Sequence, residues 1–348
     1  MIVSALFSSS IRRLGLVCIG LLAFSLSLAF SSSVQAQVIR PENVIKRAHL
    51  QFSQAAMLSG KATVAFMGGS ITEMDGYRPM MMKELQRRYP DTDFSFIDAG
   101  MSSTCSTTGA FRFKEYVLAH GVPDLFFLEF AVNDDQDAGH ARTECIRGME
   151  GIIRQARTAN PEMDIIVTYF VNEHIMKTLQ DGTLPVSVAA HEEVMQHYNV
   201  SVSFLARQAA IDIQDGVYIW KTFGGVHPKP FGNRINANLI SNLLDQVDAP
   251  FVAKAIPPYD LPAKLDPHSY ANPQFLLPDA ASGGVVHQPD WDKLKGGKRK
   301  RFVRVDMHCL TEKGQRCELA FEGKTVGAFW WRGLMQASWM CLSMSKVG

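Results

Sequence analysis

The chain has 348 residues, enough for one sizeable domain and a smaller companion. Its formal net charge is +1, so no global field points toward nucleic acid or an anionic membrane surface. A hydrophobic content of 47% excludes a disordered chain and supports a packed core.

The N-terminus stands apart from that core. Arg12 and Arg13 precede an apolar run from Leu14 to Phe30, then small polar residues and the A-x-A-like Val34-Gln35-Ala36. That order reads as a secretory signal peptide over residues 1–36, with a periplasmic or secreted mature protein. A membrane anchor is the alternative, because the run is about the minimum length of a span. The small-residue site favours cleavage after Ala36, so the membrane is met only through the signal. Val17 before Cys18 disfavours a lipoprotein. Export permits disulfides. Five cysteines remain after Cys18 is removed, and Cys105–Cys145 and Cys309–Cys317 are conceivable bridges. The spacings do not suggest zinc.

Apolar positions Ile45, Ala48, Phe52, Ala55 and Ala56 recur at helical spacing across Glu42–Leu58. Ala62–Met67 reads as a buried strand, followed by Gly68-Gly69-Ser70 and a helix over Tyr77–Tyr89. A second strand, Asp93–Ile97, ends in Asp98-Ala99-Gly100. Ser102–Thr108 is loop-like and Phe111–Ala119 helical. Leu125–Phe130 is the strongest strand, apolar except for Glu129, as a central parallel strand should be. It runs into Ala131-Val132-Asn133-Asp134-Asp135. A helix over Cys145–Ala159, a strand over Ile165–Val171 and a mostly helical stretch over His191–Ala210, broken near Val200, follow. Phe231–Val247 is a closing helix entered through Pro230.

This alternation predicts an α/β fold, a three-layer α/β/α sandwich with a parallel, flavodoxin-like sheet, over residues 37–248. Such sheets carry their sites beyond the carboxyl ends of the strands. Ser70, Gly100 and Asn133 each follow one of three successive strands.

Seven prolines between Pro257 and Pro289 make residues 249–290 a linker packed on the surface. Strands at Phe302–Met307, Cys317–Phe321 and Thr325–Trp331 predict a partial β-sandwich module over residues 291–348. Lys293, Lys295, Lys298, Arg299, Lys300 and Arg301 just precede it; a solvated loop is the plain reading, contact with an acidic glycan the sharper one. Residues 334–348 read poorly as strand. With G-ending codons at Leu334 and Gln336, the neighbouring frame gives Asp-Ala-Gly across 334–337, and Asp-Val across Trp339-Met340-Cys341. A frameshift near Trp331 is therefore expected, with an ordinary tail as the alternative; resequencing the gene decides between them.

Two glycines before Ser70, at a strand-to-helix turn, suit a hydroxyl held at the end of a sheet. His227 lies in Gly-Gly-Val-His-Pro, just before the closing helix. Alone, the first is plain turn chemistry and the second a helix entry. Together with Gly100 and Asn133, in this order, the blocks resemble the SGNH (GDSL-type) hydrolase superfamily and its carbohydrate esterases, across Ala62–Val247. The resemblance implies Ser70 as nucleophile and His227 as general base. It implies an oxyanion hole from the Ser70 and Gly100 N–H groups and the Asn133 amide, with no cofactor and no metal. It also implies an O-acyl, especially O-acetyl, ester of a carbohydrate as substrate. A carbohydrate O-acetyltransferase or a catalytically silent glycan-binding protein are the alternatives.

The chain departs from the family pattern in four places. Gly69 and Ile71 flank the serine where Asp and Leu are usual, and Ala131 replaces a glycine. Gly224 stands where the family has the aspartate that orients the histidine. Either a Ser70–His227 dyad operates, or Asp134, Asp135 or Asp137 supplies the acid. His191-Glu192-Glu193-Val194-Met195 begins like a zincin helix, but Met195 replaces the second histidine. His191 and His197 then read as surface residues. Asp134, Asp135, Asp137 and His140 invite a metal reading, against which a solvated loop is the commoner outcome. No Gly-x-Gly-x-x-Gly or P-loop pattern supports a nucleotide.

Overall fold

The computed structural model describes residues 39–246, 257–274, 276, 278–288, 290, 306–310, 315–329 and 339–341. The expected signal peptide and the basic run at 293–301 lie outside the described residues. Among the described residues no helix is long and apolar enough to cross a membrane.

Five parallel strands form the centre: β2 (Lys61–Gly68), β3 (Asp93–Gly100), β4 (Leu125–Leu128), β5 (Asp164–Thr168) and β6 (Ser201–Ser203). A short β1 (Val44–Ile45) adds an antiparallel edge to β6, with Val44 opposite Ser203. The order across the sheet is β1-β6-β5-β4-β2-β3. Its parallel part has the flavodoxin arrangement, as expected. The apolar strands explain it: β4 is buried along its whole length, which only a strand covered on both faces permits.

The chain leaves β2 toward β3 through α2 (Ser70–Glu73) and α3 (Tyr77–Arg88). It then doubles back through α4 (Ser106–Tyr116) to β4 and onward through α5 (Arg142–Ala159) to β5. Then α6 (Glu173–Gln180) and α7 (Val186–His197) lead to β6, and α8 (Leu205–Gln214), α9 (Trp220–Phe223) and α10 (Pro230–Asp245) close the domain. Right-handed crossovers put α4, α5 and α7 on one face and α3 and α10 on the other. Connections from β2 and β4 therefore depart in opposite directions. The crevice between their carboxyl ends is the topological switch point, where ligands bind in such sheets. Phe66 of β2 stacks on Phe127 of β4 at 4.8 Å beneath it, fixing the floor.

Three elements differ from expectation. The stretch Glu42–Leu58 is not one helix, because Leu50 has φ 54 and breaks it; helix α1 covers only Gln51–Leu58. Helix α4 starts at Ser106, where the sequence suggests loop, because the Ser106 N–H has a buried acceptor, Asp134 Oδ1, at 2.8 Å. Helix α6 was not expected; Asn172 caps it by accepting from the Ile175 N–H at 2.7 Å.

Residues 257–271 pack on α5. The Leu265 and Asp266 N–H groups donate to Glu150 at 2.6 and 3.0 Å, and Tyr270 Oη donates to Glu144 at 2.7 Å. Beyond them, β7 (Val285–His287) pairs antiparallel with β8 (Met307–Cys309), and β9 (Gly327–Phe329) with β10 (Trp339–Cys341). Of the three strands expected here, Phe302–Met307 lies largely outside the described residues and Thr325–Trp331 contains β9, whereas Cys317–Phe321 is described and forms no strand, only an isolated bridge from Glu318 to Ser282. Most of the segment behind the frameshift reading also lies outside the described residues. Residues 339–341 nonetheless take a strand partner. Cys105, Cys145, Cys309 and Cys317 are free thiols, so neither conceivable bridge is formed.

Candidate active site

Strand β2 ends at Gly68, and Ser70 opens the single turn of α2. The turn is fixed from below. The Gly69 N–H donates to Glu129 Oε1 at 2.7 Å, and Thr72 Oγ1 donates to the same oxygen at 2.9 Å. Buried Arg112 of α4 donates to the Ala99 carbonyl at 2.6 Å and the Gly68 carbonyl at 3.0 Å, clamping the ends of β3 and β2 together. Glu73 of α2 accepts from the Ser102 N–H at 2.8 Å, tying the turn to the loop after β3.

His227 Nε2 lies 2.8 Å from Ser70 Oγ. That is the reach a nucleophile and its base require. The two residues are 157 apart in sequence and meet because α10 starts beside the switch point. His227 is exposed, and among the described residues none hydrogen-bonds its Nδ1.

Asn133 follows β4 and opens a π-helical turn, Asn133–Asp137. Its buried amide stands over Gly69, so the third block meets the first. Nδ2 donates one hydrogen to Asp137 Oδ2 at 2.6 Å, which leaves its second hydrogen for a ligand. Gly100 has a different relation to the site. Its N–H donates to Asp98 Oδ1 at 3.0 Å. A Cβ there would fall within 3.0 Å of the Thr72 and Glu73 backbone. The close approach that requires glycine at this position is that of α2 itself.

Neither Asp134 nor Asp135 supports His227. Asp134 is wholly buried and accepts from the Ser106 N–H and Oγ and from His191 Nε2. Burial would raise its carboxyl, but His140 and His191 outweigh that and hold it below the ordinary range. Asp135 bonds His174 Nδ1 at 2.9 Å and Asn172 Nδ2 at 2.9 Å. Both carboxylates are spent elsewhere. His191, expected on the surface, is fully buried, its burial outweighed by Asp134 so that it titrates at about 9.

Gly224 explains its own departure from the family. It has φ 115, and a Cβ would fall within 3.0 Å of the Lys229 N atom. The loop from Phe223 to Lys229 is closed by the Lys229 N–H on the Phe223 carbonyl at 3.0 Å. An aspartate has no room there.

Two residues of the site escaped the sequence. Glu129 stood out as the only charge in an apolar strand, a signal that was available. Burial raises its carboxyl to about 8, opposed by Thr72 and the Gly69 N–H. Arg112 gave no signal, because a helix face does not reveal which side meets the strand ends.

Residues 66–235 match the GDSL-like Lipase/Acylhydrolase family. The match runs from the end of β2 into α10 and so takes in all four blocks. The fold also resembles a two-domain esterase active on acetylated mannans, solved with mannopentaose (TM-score 0.56, 23% identity over 72% of this chain and 64% of that one). That two-domain esterase solved without the sugar gives a TM-score of 0.58 and 22% identity over 74% of this chain and 66% of that one. The chain thus spans just under two thirds of that esterase's length, and at this identity the likeness concerns the fold. No curated protein matches the chain by sequence. Within the matched residues, the four blocks Ser70, Gly100, Asn133 and His227 all fall at one sheet end.

Proposed function

We propose that this protein is an exported serine esterase that removes O-acyl groups, chiefly O-acetyl, from carbohydrates. The observation that carries the reading is the 2.8 Å contact between His227 Nε2 and Ser70 Oγ at the switch point of a GDSL-like domain. Ser70 Oγ attacks the ester carbonyl while His227 Nε2 takes its proton. The Ser70 N–H and the free hydrogen of Asn133 Nδ2 stabilise the oxyanion. His227 then protonates the departing sugar hydroxyl, and water repeats the sequence on the acyl-serine. With Nδ1 in an exposed ring, solvent orients and stabilises the imidazolium, so the pair acts as a dyad. Gly100 contributes only if its N–H is shared between Asp98 and the substrate.

The carbohydrate part rests on the fold shared with an esterase acting on acetylated mannans, and export on residues 1–36. Hydrolysis of p-nitrophenyl acetate by wild type and Ser70→Ala tests the reaction, and acetate release from acetylated mannan and xylan tests the substrate. Activity in wild type alone supports the esterase. No activity in either, with glycan binding retained, supports a silent binding protein. Transfer of acetyl to added oligosaccharide in preference to water supports an O-acetyltransferase.

A further inference from the structure

Around Asp134, three chain segments bring together a second set of reactive groups. Cys105 precedes α4, Asp134 and His140 flank the loop after β4, and Cys145 lies in the first turn of α5. The ligand atoms of Cys105, Asp134 and His140 all lie within 4.8 Å of one another. Asp134, Cys145 and His191 satisfy the same limit on its other side.

His140 Nδ1 is buried and makes no hydrogen bond. It nevertheless stands 3.4 Å from Asp134 Oδ1. That is long for a charged hydrogen bond. It is the spacing of two ligands each about 2.0–2.1 Å from a tetrahedral zinc ion, which lie roughly 3.4 Å apart. A thiol, an imidazole and a carboxylate form the donor set of a borderline cation; calcium and magnesium take oxygen throughout. Charge agrees with the donor set. A divalent ion with one thiolate, one carboxylate and one neutral imidazole sums to zero, the balance a buried site needs. The carboxylate is also held as metal ligands are held. Ser106 N–H donates to Oδ1 at 2.8 Å, and Ser106 Oγ and His191 Nε2 engage Oδ2 at 2.6 and 2.8 Å. The His140 N–H donates to the Asp134 carbonyl at 2.8 Å, so the two ligands share a closed loop.

We propose that Cys105, Asp134 and His140 bind one Zn²⁺-class divalent cation, which ties the loop carrying Asn133 to the start of α4. The Cys105 thiol releases its proton to solvent as the Zn–S bond forms, with no change in oxidation state. The site is independent of the esterase reading, since none of its ligands touches Ser70 or His227.

The test is titration of the reduced, chelator-treated full chain with Co²⁺, followed by displacement with Zn²⁺. One ion per chain is expected, with a thiolate-to-cobalt charge-transfer band in the near ultraviolet. Cys105→Ser should abolish the band, and His140→Gln should weaken binding by at least tenfold. Cys309→Ser and Cys317→Ser should change neither. His140 is only half-buried, so His140→Gln keeps the fold and decides the matter should Cys105→Ser not fold. Absence of a saturable band in wild type, a band undiminished in Cys105→Ser, or unchanged affinity in His140→Gln overturns the proposal.

Discussion

The turn that carries Ser70 and the loop that carries His227 meet at one hydrogen bond but are built on opposite terms. Around the serine the turn is tied down on several sides: buried Glu129 under Gly69, buried Arg112 across the strand ends, half-buried Glu73 to the β3 loop. The histidine stands exposed on a loop closed by one backbone bond, with a glycine at φ 115 where the family it resembles carries an acid. On the proposed reading, preorganisation is invested in the nucleophile and its oxyanion donors, and the base is left to solvent and to its contact with the serine.

The sharpest break removes the contact itself. Ser70→Ala or His227→Ala should each lower kcat on p-nitrophenyl acetate by about 10⁴-fold or more, and the double variant should lose little beyond that, because residues acting as one unit are not additive. Additive losses would mean the two do not act together. Next comes the loop. Gly224→Asp nominally restores the family's acid, yet the side chain meets Lys229 N and the backbone is in the left-handed region. Activity and thermal midpoint should both fall; a gain in kcat would show that the loop reshapes to admit a triad.

Asn133→Ala tests the other side of the comparison. Loss of one oxyanion donor typically costs about 10²–10³ in kcat. KM and the unfolding midpoint should move far less, as measured by steady-state kinetics and thermal melts. A near-normal kcat would take Asn133 out of the oxyanion hole.

The two regions also differ in what the sequence disclosed. β2 and β4 were readable because parallel strands buried on both faces are apolar along their length, β3 by its alternation at the sheet edge, and together they brought Ser70, Gly100 and Asn133 to one sheet end by position alone. The Ser70–His227 meeting came from the resemblance, since no local pattern links residues 157 apart. The partners of Asp134 and Asp135 were not legible: Ser106, His191, Asn172 and His174 come from three other helices or their caps, and only packing decides which carboxylate they claim. The neighbours of Cys105 and Cys145 were hidden for the same reason, because His140 and Asp134 join them only through the fold. The strand at Val44–Ile45 was hidden by helical spacing that the left-handed Leu50 interrupts.

Glu129 links the serine turn to pH. Its folded carboxyl titrates at about 8 against an ordinary value of 4.5, burial being the main cause. Between those values the folded chain holds a proton that the unfolded chain has released. Stability from this group is therefore fully present below about pH 4.5 and is lost as pH rises through 8, at no more than about 1.4 kcal/mol per pH unit. Glu129→Gln keeps an acceptor for the Gly69 N–H and cannot ionise. Urea unfolding from pH 5 to 9 should show wild type losing ground to the variant as pH rises; parallel curves would mean that Glu129 is charged in the fold.

The smallest effect is expected at Asp135, and it bears directly on the histidine. Its carboxylate holds His174 and Asn172, partners on α6 and its cap. Asp135→Ala removes a partly exposed ion pair, which costs about 0–1 kcal/mol, and frays the start of α6. It removes nothing that touches His227. Turnover should stay within about twofold of wild type, a limit set by the distance-independent case in which two sites share no partners. A loss beyond tenfold at unchanged stability would place Asp135 against His227 during the reaction. The exposed loop would then be only the resting arrangement of a base that acquires its acid when substrate binds.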